Sequence, residues 1–337
     1  MATGAVPAKL KVLIVTGAVM RRAAAYAAVV EKYLEEECRS GQIELVLADD
    51  PSQVPADVSD IDVLGTEPLV RRVPEMKNLK WLMTFSSGYD HWEKSGLLPP
   101  EMPLINVPGG SAIPIAEFVL GVMLAYARHL DEMRENQKEA RFIRIEGQEL
   151  YGKTLGIIGL GGIGRAVAQR AKGFEMRVIG TEIVSGEIPF VDQVYPPAQL
   201  DEVLRQSDYL LLAVPETPET IGMMNEERFR MMKPTAYFIN CARGSLVEKD
   251  ALIKALNEGW IAGATVDVFW IKDPLPSYLP PDDPLWQAKN IRITPHISGW
   301  TDMYAERFGK VLAENLRRTL RGEPLINVAP RVLKTAS

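Results

Sequence analysis

The chain is poor in the residues that build disulfide scaffolds and metal sites. It has 2 cysteines, Cys38 and Cys241, and 3 histidines among 337 residues. Two cysteines so far apart cannot staple a fold, and they fit a reducing compartment. Each reads best as a small buried hydrophobe. His91, His129 and His296 are scattered and share no metal-ligand spacing with the cysteines. Basic charge is scarce as well: 38 Lys and Arg stand against 44 Asp and Glu, a net charge of −6. That excludes the electrostatic footprint of a nucleic-acid binder. Long apolar runs are missing; the most apolar stretch, residues 115–127, is too short to span a bilayer and carries Glu117. No secretory leader is visible, because the early apolar run reads better as a strand. These absences predict a cytoplasmic protein with neither a membrane nor a nucleic-acid partner.

What is present is an alternation. Apolar content of 47% and charged content of 24% are ordinary for a globular protein, and the length suits about two domains. Short apolar runs at 11–16, 43–48, 61–65, 80–85 and 104–107 alternate with helical segments, the first over 21–37. This predicts a parallel sheet with crossover helices. Pro108, Gly109 and Gly110 then punctuate the chain, and 115–136 reads as one long helix, apolar almost all round at its start. Further runs at 154–159, 176–181, 210–214, 236–240, 262–268 and 291–294 predict a second parallel sheet, and 301–321 a last helix.

One stretch organises the rest. An apolar run ends in Gly159-x-Gly161-x-x-Gly164, a helical segment follows, and a second apolar run ends on Glu182. In a dinucleotide site the first glycine makes the sharp turn, the second admits the pyrophosphate, and the third lets the helix pack on its strand. Glu182 follows at roughly the 20-residue spacing at which a carboxylate meets the ribose hydroxyls. Ligands of such sheets bind at the carboxyl ends of strands. Arg243, Asp267 and His296 all stand just past predicted strands. An imidazole gives and takes protons near neutral pH, and a guanidinium fork suits a carboxylate. The turn Phe85-Ser86-Ser87-Gly88-Tyr89 follows a strand of the first sheet. It reads equally as a plain loop or as backbone N–H groups cradling an anion.

With GLGGIG, NCARG and TPHISG in this order, the chain resembles the D-isomer-specific 2-hydroxyacid dehydrogenase family. FSSGYDHW, NVPGGSAIPIAEFVLGVMLAYAR and VPETPETIGMMNEERFRMMKPTAYFINCARGSLVEKDAL extend the match over nearly the whole chain. The resemblance implies an α/β fold of two Rossmann-like or flavodoxin-like domains with parallel sheets and a cleft between them. Residues 1–105 and 298–337 would form a discontinuous substrate (catalytic) domain, and 106–297 the NAD-binding Rossmann domain. It implies NAD(P)-dependent interconversion of a 2-oxo acid and a D-2-hydroxy acid, usually in a homodimer. His296 would be the acid/base, Arg243 would bind the carboxylate, and Ser87 and Gly88 would hold the carboxylate by backbone. Gly159, Gly161, Gly162, Ile163, Gly164, Glu182, Pro215, Cys241, Ala242, Arg243, Asp267, His296 and Gly299 would line the cofactor. Glu182, with no arginine close behind, favours NAD over NADP.

The family pairs its histidine with a glutamate shortly after the DVF motif, followed by Pro-Leu-Pro. Here that place reads Lys272-Asp273-Pro274-Leu275-Pro276. Asp273 is the expected partner of His296. Two other readings share the scaffold: a dinucleotide-sensing corepressor-like binding protein, and a dehydrogenase of formate or phosphite. The residues do not name the substrate's side chain. Tyr89, Trp270 and Trp300 stand near that pocket, and core packing accounts for them equally well.

Overall fold

The computed structural model describes residues 7–17, 22–184, 186–270 and 279–330. It divides into two compact units, Met1–Ser111 with Thr301–Ser337, and Ala112–Trp300.

The first unit runs β1 (Leu10–Val15), α1 (Ala23–Tyr33), α2 (Glu35–Arg39), β2 (Ile43–Ala48), β3 (Val63–Thr66), β4 (Trp81–Thr84), α3 (Asp90–Ser95) and β5 (Leu104–Ile105). The sheet is parallel with order β2-β1-β3-β4-β5, the flavodoxin-like winding. Its central strands are continuous apolar runs because both faces are covered. At Gly65 in β3 a Cβ would lie 2.7 Å from the Phe85 ring. Phe85 in turn stacks on Tyr26 of α1, with centroids 4.1 Å apart.

The helix expected over 21–37 is two helices. Leu34 leaves helical geometry at φ −135, ψ 44. The break keeps Leu34 buried while Glu35 and Glu36 stay at the surface. Cys38, expected to be buried, is only partly so.

The second unit runs α4 (Ala112–Ala127), α5 (Leu130–Lys138), β6 (Thr154–Ile158), α6 (Gly162–Ala171), β7 (Arg177–Thr181), β8 (Gln193–Tyr195), α7 (Leu200–Gln206), β9 (Tyr209–Leu212), α8 (Glu226–Met231), β10 (Tyr237–Asn240), α9 (Lys249–Asn257), β11 (Gly263–Val266) and β12 (Ile291–Ile293). The sheet is parallel with order β12-β11-β10-β9-β6-β7-β8. The winding reverses between β6 and β9, so the crevice for a ligand lies there.

The single helix expected over 115–136 is also two, α4 and α5, bent by 62°. A continuing helix would give the Ala127 carbonyl to its own next turn. Instead that carbonyl accepts the Gln148 N–H at 2.7 Å, and His129 turns the chain at φ 52. The last helix, α10 (Tyr304–Arg321), belongs to the first unit. There Phe308, Leu312 and Leu316 are buried, and a Cβ on Gly309 would meet Val29 of α1 at 2.8 Å.

Candidate active site

The glycine turn opens at the switch point. Gly159 follows β6 with φ +98, a conformation side chains avoid, and a Cβ there would meet the Ala213 carbonyl oxygen at 2.8 Å. A Cβ on Gly164 would lie 2.1 Å from the Gly159 oxygen, so the third glycine lets α6 pack on its strand. A Cβ on Gly161 would meet nothing within 4 Å: the middle glycine faces open space. No side chain caps α6, so the first-turn N–H groups, those of Gly162 and Ile163 among them, remain for a ligand. Glu182 stands just past β7, and its Oε1 accepts the Ile183 N–H at 2.8 Å.

The other residues expected to line the cofactor gather at the same end of the same sheet. Pro215 follows β9, Cys241, Ala242 and Arg243 follow β10, Asp267 follows β11, and His296 and Gly299 follow β12. The Arg243 loop is shaped by Asn240, whose amide Nδ2 donates to the Arg243 carbonyl at 2.9 Å. Gly244 is packed so tightly that a Cβ would sit 2.3 Å from the Phe269 carbonyl. Ser245 donates its hydroxyl to Glu216 and accepts the Gly222 N–H at 2.8 Å. These bonds tie the 215–222 loop to the arginine loop.

His296 is exposed and holds φ 56. Its turn is latched to Asp267, a residue with no exposed surface. Asp267 Oδ1 accepts the Thr294 hydroxyl at 2.6 Å and the Ile297 N–H at 3.0 Å, and Oδ2 accepts the Ser298 N–H at 2.9 Å. Asp267 thus anchors the histidine's turn, a contact its position in the sequence did not reveal. Burial, with the Asp267 carboxylate beside it, pushes the Cys241 thiol well up. Cys241 is therefore a neutral group, packed in the buried apolar cluster beside the sheet.

The family model described as "D-isomer specific 2-hydroxyacid dehydrogenase, NAD binding domain" matches residues 120–298. A protein from Thermofilum pendens named glyoxylate reductase is 38% identical over 272 residues, covering 76% of this chain and 77% of the relative. The D-3-phosphoglycerate dehydrogenase of Methanocaldococcus jannaschii is 34% identical over 304 residues, 88% of this chain and 56% of its own. The chain belongs to the D-isomer specific 2-hydroxyacid dehydrogenase family. The crystal structure of a member from Aeromonas salmonicida superposes with a TM-score of 0.83 at 27% identity, covering 95% of this chain and 99% of that one.

As a member of this family the chain is an NAD(P)-dependent oxidoreductase that interconverts 2-oxo and D-2-hydroxy acids. The corepressor reading finds no support among these relatives. The glycine turn fits a dinucleotide on its own geometry: one glycine makes the bend, one opens space, and one admits the helix. Asp273, the expected partner of His296, lies outside the described residues. Ser87 and Gly88 follow β4 in the first unit. The Ser87 hydroxyl donates to the Val107 carbonyl at 2.9 Å, and Asn106 Nδ2 donates to the Ser87 carbonyl at 2.6 Å. Among the described residues, no carbonyl or side chain engages the N–H of Ser87 or Gly88. Asn240 and the Ser245–Glu216 pair escaped the sequence reading. The available signal was an Asn ending a strand before a turn.

Proposed function

We propose that the enzyme reduces a small 2-oxo acid of glyoxylate or hydroxypyruvate size, with NADH as the preferred donor. One observation carries the reading. The Gly159–Gly164 turn, Arg243 and His296 all follow strands of one parallel sheet, at the end where such sheets bind ligands. The name of the Thermofilum pendens relative supports the substrate size.

When bound, the nicotinamide supplies the hydride. Arg243 offers its fork of donors to the substrate carboxylate and to the carbonyl oxygen, where negative charge develops. His296, protonated, gives its proton to that oxygen. Asp267 fixes the turn from which the imidazole projects. The unengaged N–H groups of Ser87 and Gly88 suit a carboxylate. Asp273 remains our choice for the partner of His296. In this reading Ala112–Trp300 is the cofactor-binding domain and the other unit the substrate domain.

Two wider proposals go with it. Phe142 is 95% exposed, with Leu130, Met133 and Ile143 also at the surface of the same unit. Apolar side chains left this exposed are what a subunit contact would cover, and we read them as part of a homodimer surface. Two free cysteines, and no single helix among the described residues long and apolar enough to cross a membrane, favour the cytoplasm.

NADH absorbance with glyoxylate, hydroxypyruvate, pyruvate, phenylpyruvate and phosphohydroxypyruvate tests the reading. The expected order places glyoxylate and hydroxypyruvate first. Phenylpyruvate in the lead would overturn the size assignment, and no oxidation with any of them would overturn the reaction.

A further inference from the structure

Asn240 ends β10 and has no exposed surface. A buried amide is costly unless its groups are bonded. Here both are: Oδ1 accepts the Ala242 N–H at 3.1 Å, and Nδ2 donates to the Arg243 carbonyl at 2.9 Å. The two bonds end on the residues that deliver the guanidinium. One residue on, the backbone of Phe269 and Trp270 packs closely against Gly244. The main chain of Arg243, extended at φ −144 and ψ 143, is therefore held by a buried amide and followed by a residue with no room to move. A leucine would fill the same core position without either bond.

We propose that Asn240 is a positioning residue for Arg243: its amide sets the main chain from which the fork reaches the substrate. The inference rests on the reading of Arg243 as the carboxylate ligand. An aspartate at 240 would keep the acceptor for Ala242. It could not donate to the Arg243 carbonyl, and it would set a negative charge against that oxygen. The loop would shift, and a fork that must meet a carboxylate with two parallel bonds tolerates little shift.

A double-mutant cycle tests this. kcat/KM for glyoxylate is measured in the wild type, Asn240→Asp, Arg243→Lys and the double variant, with NADH affinity followed by fluorescence. Asn240→Asp alone is expected to lower kcat/KM at least tenfold, mainly through KM, with NADH affinity within twofold. In the Arg243→Lys background the same change is expected to cost less than twofold. An equal loss in both backgrounds would mean that Asn240 serves only the fold. If Arg243→Lys leaves kcat/KM unchanged, the reading of Arg243 falls and this inference falls with it. Asn240→Ala, taken through the same cycle, decides the matter should Asn240→Asp not fold.

Discussion

A histidine in the left-handed region costs about 1 kcal/mol or more and persists only where its surroundings hold it there. Asp267 does the holding, with three donors from residues 294–298 converging on one buried carboxylate. Asn in its place has one acceptor oxygen and an NH2 group, which would face a donor at Ile297 or Ser298. Asp267→Asn is therefore expected to release the His296 turn and lower kcat about a hundredfold. NADH binding should be retained. Steady-state kinetics beside NADH titration check it, and an unchanged kcat would refute the latch. His296 and Arg243 were legible as residues because each follows an apolar run and each has suitable chemistry. Asp267's grip on the turn was not, because the bonds join residues far apart in sequence that only the sheet brings side by side. Asp267 stood out for its place after a strand and, through the family resemblance, as a residue lining the cofactor; its bracing of the imidazole's turn is visible only in the fold.

At the scale of the element, the glycine turn separates two requirements that sequence patterns merge. Gly164 serves packing, since its Cβ would collide with the Gly159 carbonyl. Gly161 leaves space free, since its Cβ would touch nothing, and its φ of −72 is open to any residue. Gly164→Ala should destabilise the protein by about 1–3 kcal/mol through overpacking and weaken NADH as well. Gly161→Ala should leave the melting temperature nearly unchanged while weakening NADH at least tenfold. Thermal denaturation beside NADH titration tells the two apart, and a folded Gly161→Ala protein with full NADH affinity would count against the cradle. The strand–turn–helix–strand order was legible because each strand is a continuous apolar run with punctuation at its ends. The bend between α4 and α5 was not. Arg128 and His129 carry no turn signal, and the cause is a hydrogen bond from Gln148. β8 also escaped, being three residues long with an exposed Gln193.

At the scale of the whole molecule, Glu182 bears on the choice of dinucleotide and Phe142 on the state of assembly. Glu182 is followed by Ile183, 86% exposed, and Val184, 72% exposed. An acid followed by two apolar residues rather than a cation repels a ribose 2′-phosphate. NADH should therefore exceed NADPH in kcat/KM by at least tenfold, and parity between them would refute the assignment to Glu182. The exposed Phe142 is expected to be covered by a second copy. Sedimentation should show a dimer for the wild type and a smaller species for Phe142→Glu, while a wild-type monomer would exclude this surface as a dimer contact.

The return of α10 to the first unit has a bearing on how the protein is made. The sheet β1–β5 leaves the ribosome early, but the helix that buries Phe308, Leu312 and Leu316 against its unit emerges only after the whole interval Ala112–Trp300. At 5–20 residues per second that delay is roughly 10 to 40 s. For that time a nascent parallel sheet lacks part of its apolar cover, while the unit encoded in the middle of the message can already close on itself. The sheet of the first unit is thus the part of the newborn chain most in need of a chaperone, although its strands are synthesised before those of the second.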